Sequence, residues 1–178
     1  MPYQNWVTPT GEIVVGPAGR PGTFFGNRGP LVTNGIVRHH QNRRWIICEL
    51  EYKGWRAPAW DEENTYTPLF FLDEAVALAA GHRPCALCRR PSYNAYRDAV
   101  GFTGSADDLD RQLHAERWDG QGKRLHEMPW REVPVGTYVM TNHGPARVDT
   151  PKVSAGMAVV ITPPTSVAAL QAGYPVRL

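Results

Sequence analysis

The chain has 178 residues, of which 42% are hydrophobic and 20% are charged, and its formal net charge is +2. This composition is typical of a globular protein with one buried core and excludes disorder of the whole chain. The net charge is too small to indicate a nucleic-acid partner by itself, and no apolar run approaches the ~18 residues of a membrane span.

The first part of the chain is predicted to be rich in β-strands. Short strands separated by turn-forming Pro and Gly are expected at residues 6–7, 12–15, 24–25 and 69–72, with loops at 16–22, 26–30 and 55–66. The strongest strand signal covers residues 44–52. There the continuous apolar run from Trp45 to Cys48 is typical of a strand buried on both faces.

Helices become frequent after residue 72. They are predicted at residues 73–80, 91–100, 107–118 and 165–172, with further strands at 137–140, 146–148 and 157–161. Asp73 is well placed to cap the first helix, and Gly81 to end it. The pattern indicates an α+β fold, with a β-rich zinc-binding domain at 1–101 and a helix plus a small β subdomain at 107–178, or one continuous domain.

Two segments of the sequence echo each other. LFFLDEAVALAAGHRP and VVITPPTSVAALQAGYPV both read as a strand, a turn and an Ala-rich helix that ends at Gly and an aromatic ring. In this pairing Gly81 corresponds to Gly173, and His82 to Tyr174. The echo indicates either a structural repeat or two similar corners. Since only the first copy is followed by cysteines, any chemistry is expected there.

The cysteine pair Cys85-x-x-Cys88 indicates a zinc site at the start of a helix. A C-x-x-C turn presents two sulfur atoms to one ion, and the amides of the helix start favour thiolates. Two alternatives are a redox dithiol and two unrelated thiols. Because the chain has only three cysteines and no N-terminal signal pattern, we expect a reducing, cytoplasmic location.

The other zinc ligands must come from elsewhere in the chain. Cys48 is the obvious third ligand, although a cysteine in an apolar strand is often a small core residue. The candidates for the fourth ligand are His39, His40 and His82, and the sequence does not decide among them.

The stretch ALAAGHRPCxxCRRP at residues 77–91, after the strand with Phe70 and Phe71, resembles the second half of the Ada-type zinc-binding domain of bacterial DNA alkylation-response proteins. The resemblance covers residues 45–91. It implies that Cys85 and Cys88 are two of four zinc cysteines, in a fold that contacts DNA phosphates during repair.

This sequence departs from the family pattern upstream. The family has a pair of cysteines four residues apart, one of which accepts a methyl group from a DNA phosphotriester, whereas here the residue four after Cys48 is Tyr52. The site must therefore be completed differently, by a histidine or by water. Methyl transfer to Cys48 stays an alternative, since a zinc-bound thiolate is nucleophilic.

Arginines cluster near these segments and favour a nucleic-acid partner, with DNA as the first candidate. If the segments meet in space, they form a basic patch able to hold phosphates. The predicted contacts are Arg38, Arg43, Arg44, Arg83, Arg89 and Arg90.

A second interpretation is a small zinc-assisted hydrolase or other enzyme. His114, Glu116 and His126 combine imidazole and carboxylate groups that suit general acid–base catalysis if they converge. The cleft would then lie between the helix at 107–118 and the basic segment 38–44. A third reading is a purely structural or interaction protein.

Overall fold

The computed structural model describes residues 4–16, 22–33, 36–58 and 66–178. Strands and short helices both occur along this part of the chain, so the predicted α+β fold is confirmed. Most of the loop predicted at 16–22, and residues 59–65 of the one predicted at 55–66, lie outside the described residues.

The described strands fall into two main sheets and two short ladders. They are β1 (Gln4–Val7), β2 (Ile13–Val15), β3 (Phe24–Asn27), β4 (Val32–Thr33), β5 (Ile36–Val37), β6 (Ile46–Cys48), β7 (Glu51–Tyr52), β8 (Trp55–Arg56), β9 (Leu69–Phe71), β10 (Arg83–Pro84), β11 (His126–Pro129), β12 (Tyr138–Thr141), β13 (Gly144–Arg147) and β14 (Met157–Val160). A six-stranded sheet has the order β10-β6-β3-β9-β1-β2, and a four-stranded antiparallel sheet has the order β11-β14-β12-β13.

The strand predicted over residues 44–52 is interrupted. It forms β6 and then β7, which turns back into β8 as a small hairpin. The turn is tight, because Lys53 takes a positive φ of 49° and Gly54 follows it with a φ of 81°. The apolar run ends at Cys48, where the chain leaves the sheet, and this places the thiol at the end of a strand.

The helices are α1 (Glu74–Ala79), α2 (Arg90–Ala99), α3 (Ala106–Arg117) and α4 (Pro164–Gln171), with a 3-10 turn at Trp130–Glu132. Asp73 caps α1 as predicted, since its Oδ1 accepts from the Val76 amide at 2.8 Å. Ser105 caps α3 in a reciprocal pair with Asp108.

One buried cluster joins the predicted N- and C-terminal parts. It contains Val7, Phe71 and Leu78 of the first part together with Leu113 and Leu170 of the second. Helices α3 and α4 therefore pack on the same core as the six-stranded sheet. No helix among the described residues is long and apolar enough to cross a bilayer.

Candidate metal centre

The three cysteines meet at one end of a pair of parallel strands. Strand β10 pairs with β6 so that Pro84 lies opposite Ile47, and the Cys85 amide donates to the Ile47 carbonyl at 2.9 Å. Cys48 ends β6 and Cys85 follows β10, so their thiols emerge side by side. Cys88 follows in the turn that leads into α2.

The sulfur atoms of Cys48, Cys85 and Cys88 all lie within 4.8 Å of one another. A tetrahedral zinc site separates its sulfurs by about 3.8 Å, given Zn–S bonds of about 2.3 Å. A metal ion therefore fits among these side chains with small rotations. The fold thus brings together Cys48, Cys85 and Cys88, the three cysteines that the sequence predicts as metal ligands. Together they could hold a metal ion.

Main-chain amides already point at the sulfurs. The Leu87 amide donates to Cys85 Sγ at 3.4 Å, and the amides of Cys88 and Glu49 also take part in hydrogen bonds to the cluster. Cys48 shares a hydrogen bond with Cys85, which raises the pKa of Cys48 and lowers that of Cys85. Such donors stabilise thiolates, the form that binds metal.

An apolar shell surrounds the cluster. Cys48 is 6% exposed and Cys85 is 9% exposed, while Cys88 is half-buried. Phe25, Tyr66 and neighbouring apolar side chains pack around them. The centre is thus closed towards the core, and Cys88 marks its more open side, next to Leu87, which is 68% exposed.

The predicted histidine ligands lie elsewhere, and this part of the prediction is wrong. His82 precedes β10, three residues before Cys85, and an extended strand carries those residues about 10 Å apart. Its ring packs between Trp45 and Phe71, and its Nε2 accepts from Arg28 Nε at 3.3 Å. Within the described ranges, no histidine or carboxylate joins the three thiols.

His39 and His40 also lie at the far end of the strand pair. Their Nδ1 atoms are 3.0 Å apart, and His39 stacks on Trp118 with ring centroids 4.6 Å apart. Burial, followed by the charge of Arg28, lowers the pKa of His39 to about 4. These rings are therefore neutral at pH 7 and belong to an aromatic and histidine cluster around Trp45.

Two buried arginines support this second cluster, and no pattern in the sequence predicted them. The guanidinium groups of Arg28 and Arg117 lie 4.0 and 3.9 Å from the Trp45 ring centroid. Arg28 is fully buried and Arg117 is 1% exposed, and neither forms an ion pair within the described part of the chain. Those of their donors that are paired go instead to carbonyl groups and imidazole nitrogens.

Two of the six arginines predicted to contact nucleic acid are inside the protein. Arg83 forms a two-pronged ion pair with Asp110, with both N–O distances at 2.8 Å. Arg89 pairs with Glu74 at 2.8 Å and with Glu49 at 3.2 Å. Both arginines are only 2% exposed, and these carboxylates already compensate their charge.

The other four arginines are exposed. Arg90 lies at the start of α2, beside the cysteines, whereas Arg38, Arg43 and Arg44 lie on the loop before β6. The predicted patch is therefore divided. The larger group lies at the end of the strand pair opposite the thiols.

The residues proposed for catalysis do not converge. Glu116 is two residues from His114 on α3, which turns its side chain about 200° away. Its carboxylate accepts from the Thr165 amide at 2.9 Å and from the Thr165 hydroxyl at 2.6 Å, so it holds the first turn of α4. His126 Nε2 lies 2.8 Å from the Glu116 carbonyl oxygen, and the sequence did not predict its strand.

A cleft does lie where the enzyme reading placed one. It separates the loop at 40–44 from α3, and His114 lines it. The thiols lie at the opposite end of β6, so a metal held by them does not face this cleft.

No family model, curated protein or solved structure matches the chain. The resemblance to Ada-type domains, and the role in DNA repair that it implies, therefore stay predictions.

Proposed function

We propose that this protein binds one zinc ion through Cys48, Cys85 and Cys88 and contacts nucleic acid through exposed arginines. The observation that carries the metal proposal is the approach of all three sulfurs to within 4.8 Å of one another. Three thiolates suit zinc better than the harder divalent cations, which prefer oxygen.

The third thiol favours metal over a redox dithiol. A C-x-x-C exchange pair needs only Cys85 and Cys88, with one exposed sulfur at a helix start. Here Cys48 is delivered from another strand, and main-chain amides point at the group. With no histidine or carboxylate of the described residues beside it, the fourth zinc position is left for water, for an external ligand or for a residue outside those ranges.

Elemental analysis of the purified protein tests the metal. We expect one zinc per chain, lost or strongly weakened in Cys48→Ser and in Cys85→Ser. His40→Gln is the matched control, since its ring lies away from the thiols, and its zinc content should stay unchanged. Zinc that survives Cys48→Ser, or a protein purified without metal under reducing conditions, contradicts the proposal.

Nucleic acid is proposed on the basis of uncompensated surface charge. Arg38 and Arg43 are exposed, Arg44 has only a distant carboxylate partner at 3.8 Å, and Arg90 lies beside the thiols. Guanidinium groups bind phosphates through paired hydrogen bonds, and each contact releases counterions. DNA is the first candidate, with RNA as the alternative that the assay must compare.

Fluorescence anisotropy with labelled DNA and RNA at several salt concentrations tests this contact. Arg43→Ala combined with Arg44→Ala should weaken binding and lower the slope of log K against log salt by about two. Arg131→Ala is the control, because Arg131 is equally exposed on a remote 3-10 turn. Unchanged affinity and slope in the double variant would refute the contact.

A further inference from the structure

The cleft between the loop at 40–44 and α3 is polar on both walls. Its volume is about 570 Å³, within the range of about 300–1,000 Å³ that is common for small-ligand sites. The loop contributes Arg43 and Arg44, and the helix contributes Arg111 and His114. The cleft is therefore large enough for a small charged group.

The loop wall is held in place by buried groups. Arg117 Nη2 donates to the Arg43 carbonyl at 2.7 Å, and Trp45 Nε1 donates to the Asn42 carbonyl at 3.0 Å. The Gln41 amide donates to the Arg28 carbonyl at 2.9 Å. These hydrogen bonds fix the backbone of the loop, so the exposed Arg43 and Arg44 are held at a defined place.

His114 has one defined tautomer. Arg117 Nη2 lies 3.2 Å from His114 Nδ1, and because arginine only donates, Nδ1 must be the acceptor. Burial, followed by the charge of Arg117, lowers the pKa of His114 to about 4, so the ring is neutral at pH 7. Its proton then sits on Nε2, which leaves an N–H donor as the free polar atom of the ring.

The charge around the cleft is positive after pairing. Both carboxylate oxygens of Asp110 are held by Arg83, and Arg44 is 3.8 Å from the exposed Asp107. Arg43 makes no ion pair within the described residues. Beneath the cleft lies Arg117, which is buried without a carboxylate at hydrogen-bond distance.

We propose that this cleft binds a phosphate group, with Arg43 and Arg44 as its cationic clamp and His114 Nε2–H as a neutral donor. Guanidinium forks match phosphate oxygens, and Arg117 below, which forms no ion pair within the described residues, adds positive charge that favours an anion. The phosphate can belong to a free phosphomonoester or to nucleic acid. In the latter case the cleft is a subsite of the proposed function, on which that part of the inference rests.

Isothermal titration with inorganic phosphate tests the cleft without nucleic acid. We expect saturable binding that Arg43→Ala weakens about tenfold, the effect of losing one charge-assisted hydrogen bond. Arg43 is exposed, so this variant should fold, and His114→Phe should also weaken binding while keeping an aromatic ring. Arg131→Ala is the control and should bind as the parent does.

Two oligonucleotides of one sequence, with and without a 5′-phosphate, distinguish the sources. A preference for the phosphorylated form that Arg43→Ala removes assigns a terminal phosphate, and equal weakening of both forms assigns an internal diester. Phosphate binding without any oligonucleotide binding refutes the nucleic-acid part of the proposed function and retains the cleft. Phosphate affinity that Arg43→Ala and His114→Phe leave unchanged overturns the inference.

Discussion

The ion pair between Arg83 and Asp110 makes a sharp test of which arginines are structural. The side chains are 3% and 4% exposed, and two hydrogen bonds of 2.8 Å join them. Removing one partner of a buried pair leaves the other charge without compensation, which costs about 3–5 kcal/mol. We therefore expect Asp110→Ala to lower the free energy of unfolding by that amount.

Equilibrium unfolding in urea measures this loss. With a slope of about 2 kcal/mol per molar urea, a loss of about 4 kcal/mol moves the midpoint by about 2 M. Replacing both partners, as Arg83→Met with Asp110→Leu, should restore most of the stability, since apolar side chains of similar volume often replace a buried pair at little cost.

The double variant also separates the two roles considered for Arg83. If the arginine is structural, the double variant binds DNA with the parent's affinity and salt dependence. A loss below about 1 kcal/mol for Asp110→Ala, as for an exposed pair, would refute the reasoning from burial. So would a restored fold whose salt slope had fallen by about one, because that result would make Arg83 a phosphate contact.

Three further predictions concern the helices and the histidines. Glu116→Gln should lower the free energy of unfolding by about 1–2 kcal/mol, because its carboxylate caps α4 through Thr165, and zinc content should not change. Gly173→Ala should cost about 1 kcal/mol in thermal or urea unfolding for its positive φ alone. Gly81→Ala should cost clearly more, because its new Cβ would also meet the Arg117 side chain, and equal losses would contradict this. Stability should fall as pH decreases from about 6.5 to 4, since the unfolded chain gains a proton on His114 that the folded ring, with a pKa of about 4, resists. His114→Gln should make that part of the pH curve less steep, with His39 still contributing, and an unchanged curve would contradict the prediction.

The similarity between residues 69–84 and 159–176 could be recognised in the sequence because helix ends depend on local chemistry. Gly81 and Gly173 both take a positive φ, of 98° and 88°. The next residue closes each helix with the same main-chain bond, from His82 to the Ala77 carbonyl and from Tyr174 to the equivalent Ala169 carbonyl. The residues that we paired in the sequence thus occupy the same capping positions in the structure.

The metal ligands were only partly predictable, for a similar reason. The C-x-x-C turn is local, so Cys85 and Cys88 could be read from their spacing. Cys48 could be proposed because it is the one cysteine of the chain outside that turn. The prediction of a histidine ligand was wrong because the sequence does not reveal that His82 and Cys85 lie at opposite ends of one extended segment.

Buried arginines were beyond the reach of the sequence. Arginine is normally exposed, so a run such as Arg83 to Arg90 reads as a basic surface. The carboxylate partner of Arg83 is Asp110, which is distant in the sequence. The partner of Arg89 is Glu74, which the sequence places at the start of a helix. Only the fold brings these charges together, and the same holds for Arg28 and Arg117 around Trp45.

The short edge strand β10 connects the three thiols with the aromatic and histidine cluster around Trp45. It has two residues, and its backbone is held to β6 by the Arg83 and Cys85 amides, which donate to Trp45 and Ile47. At one end a shared metal would tie Cys85 to Cys48, and at the other Arg83 is tied to α3. Because α3 also forms a wall of the cleft, β10 connects the thiol end of β6 to the helix that lines the cleft.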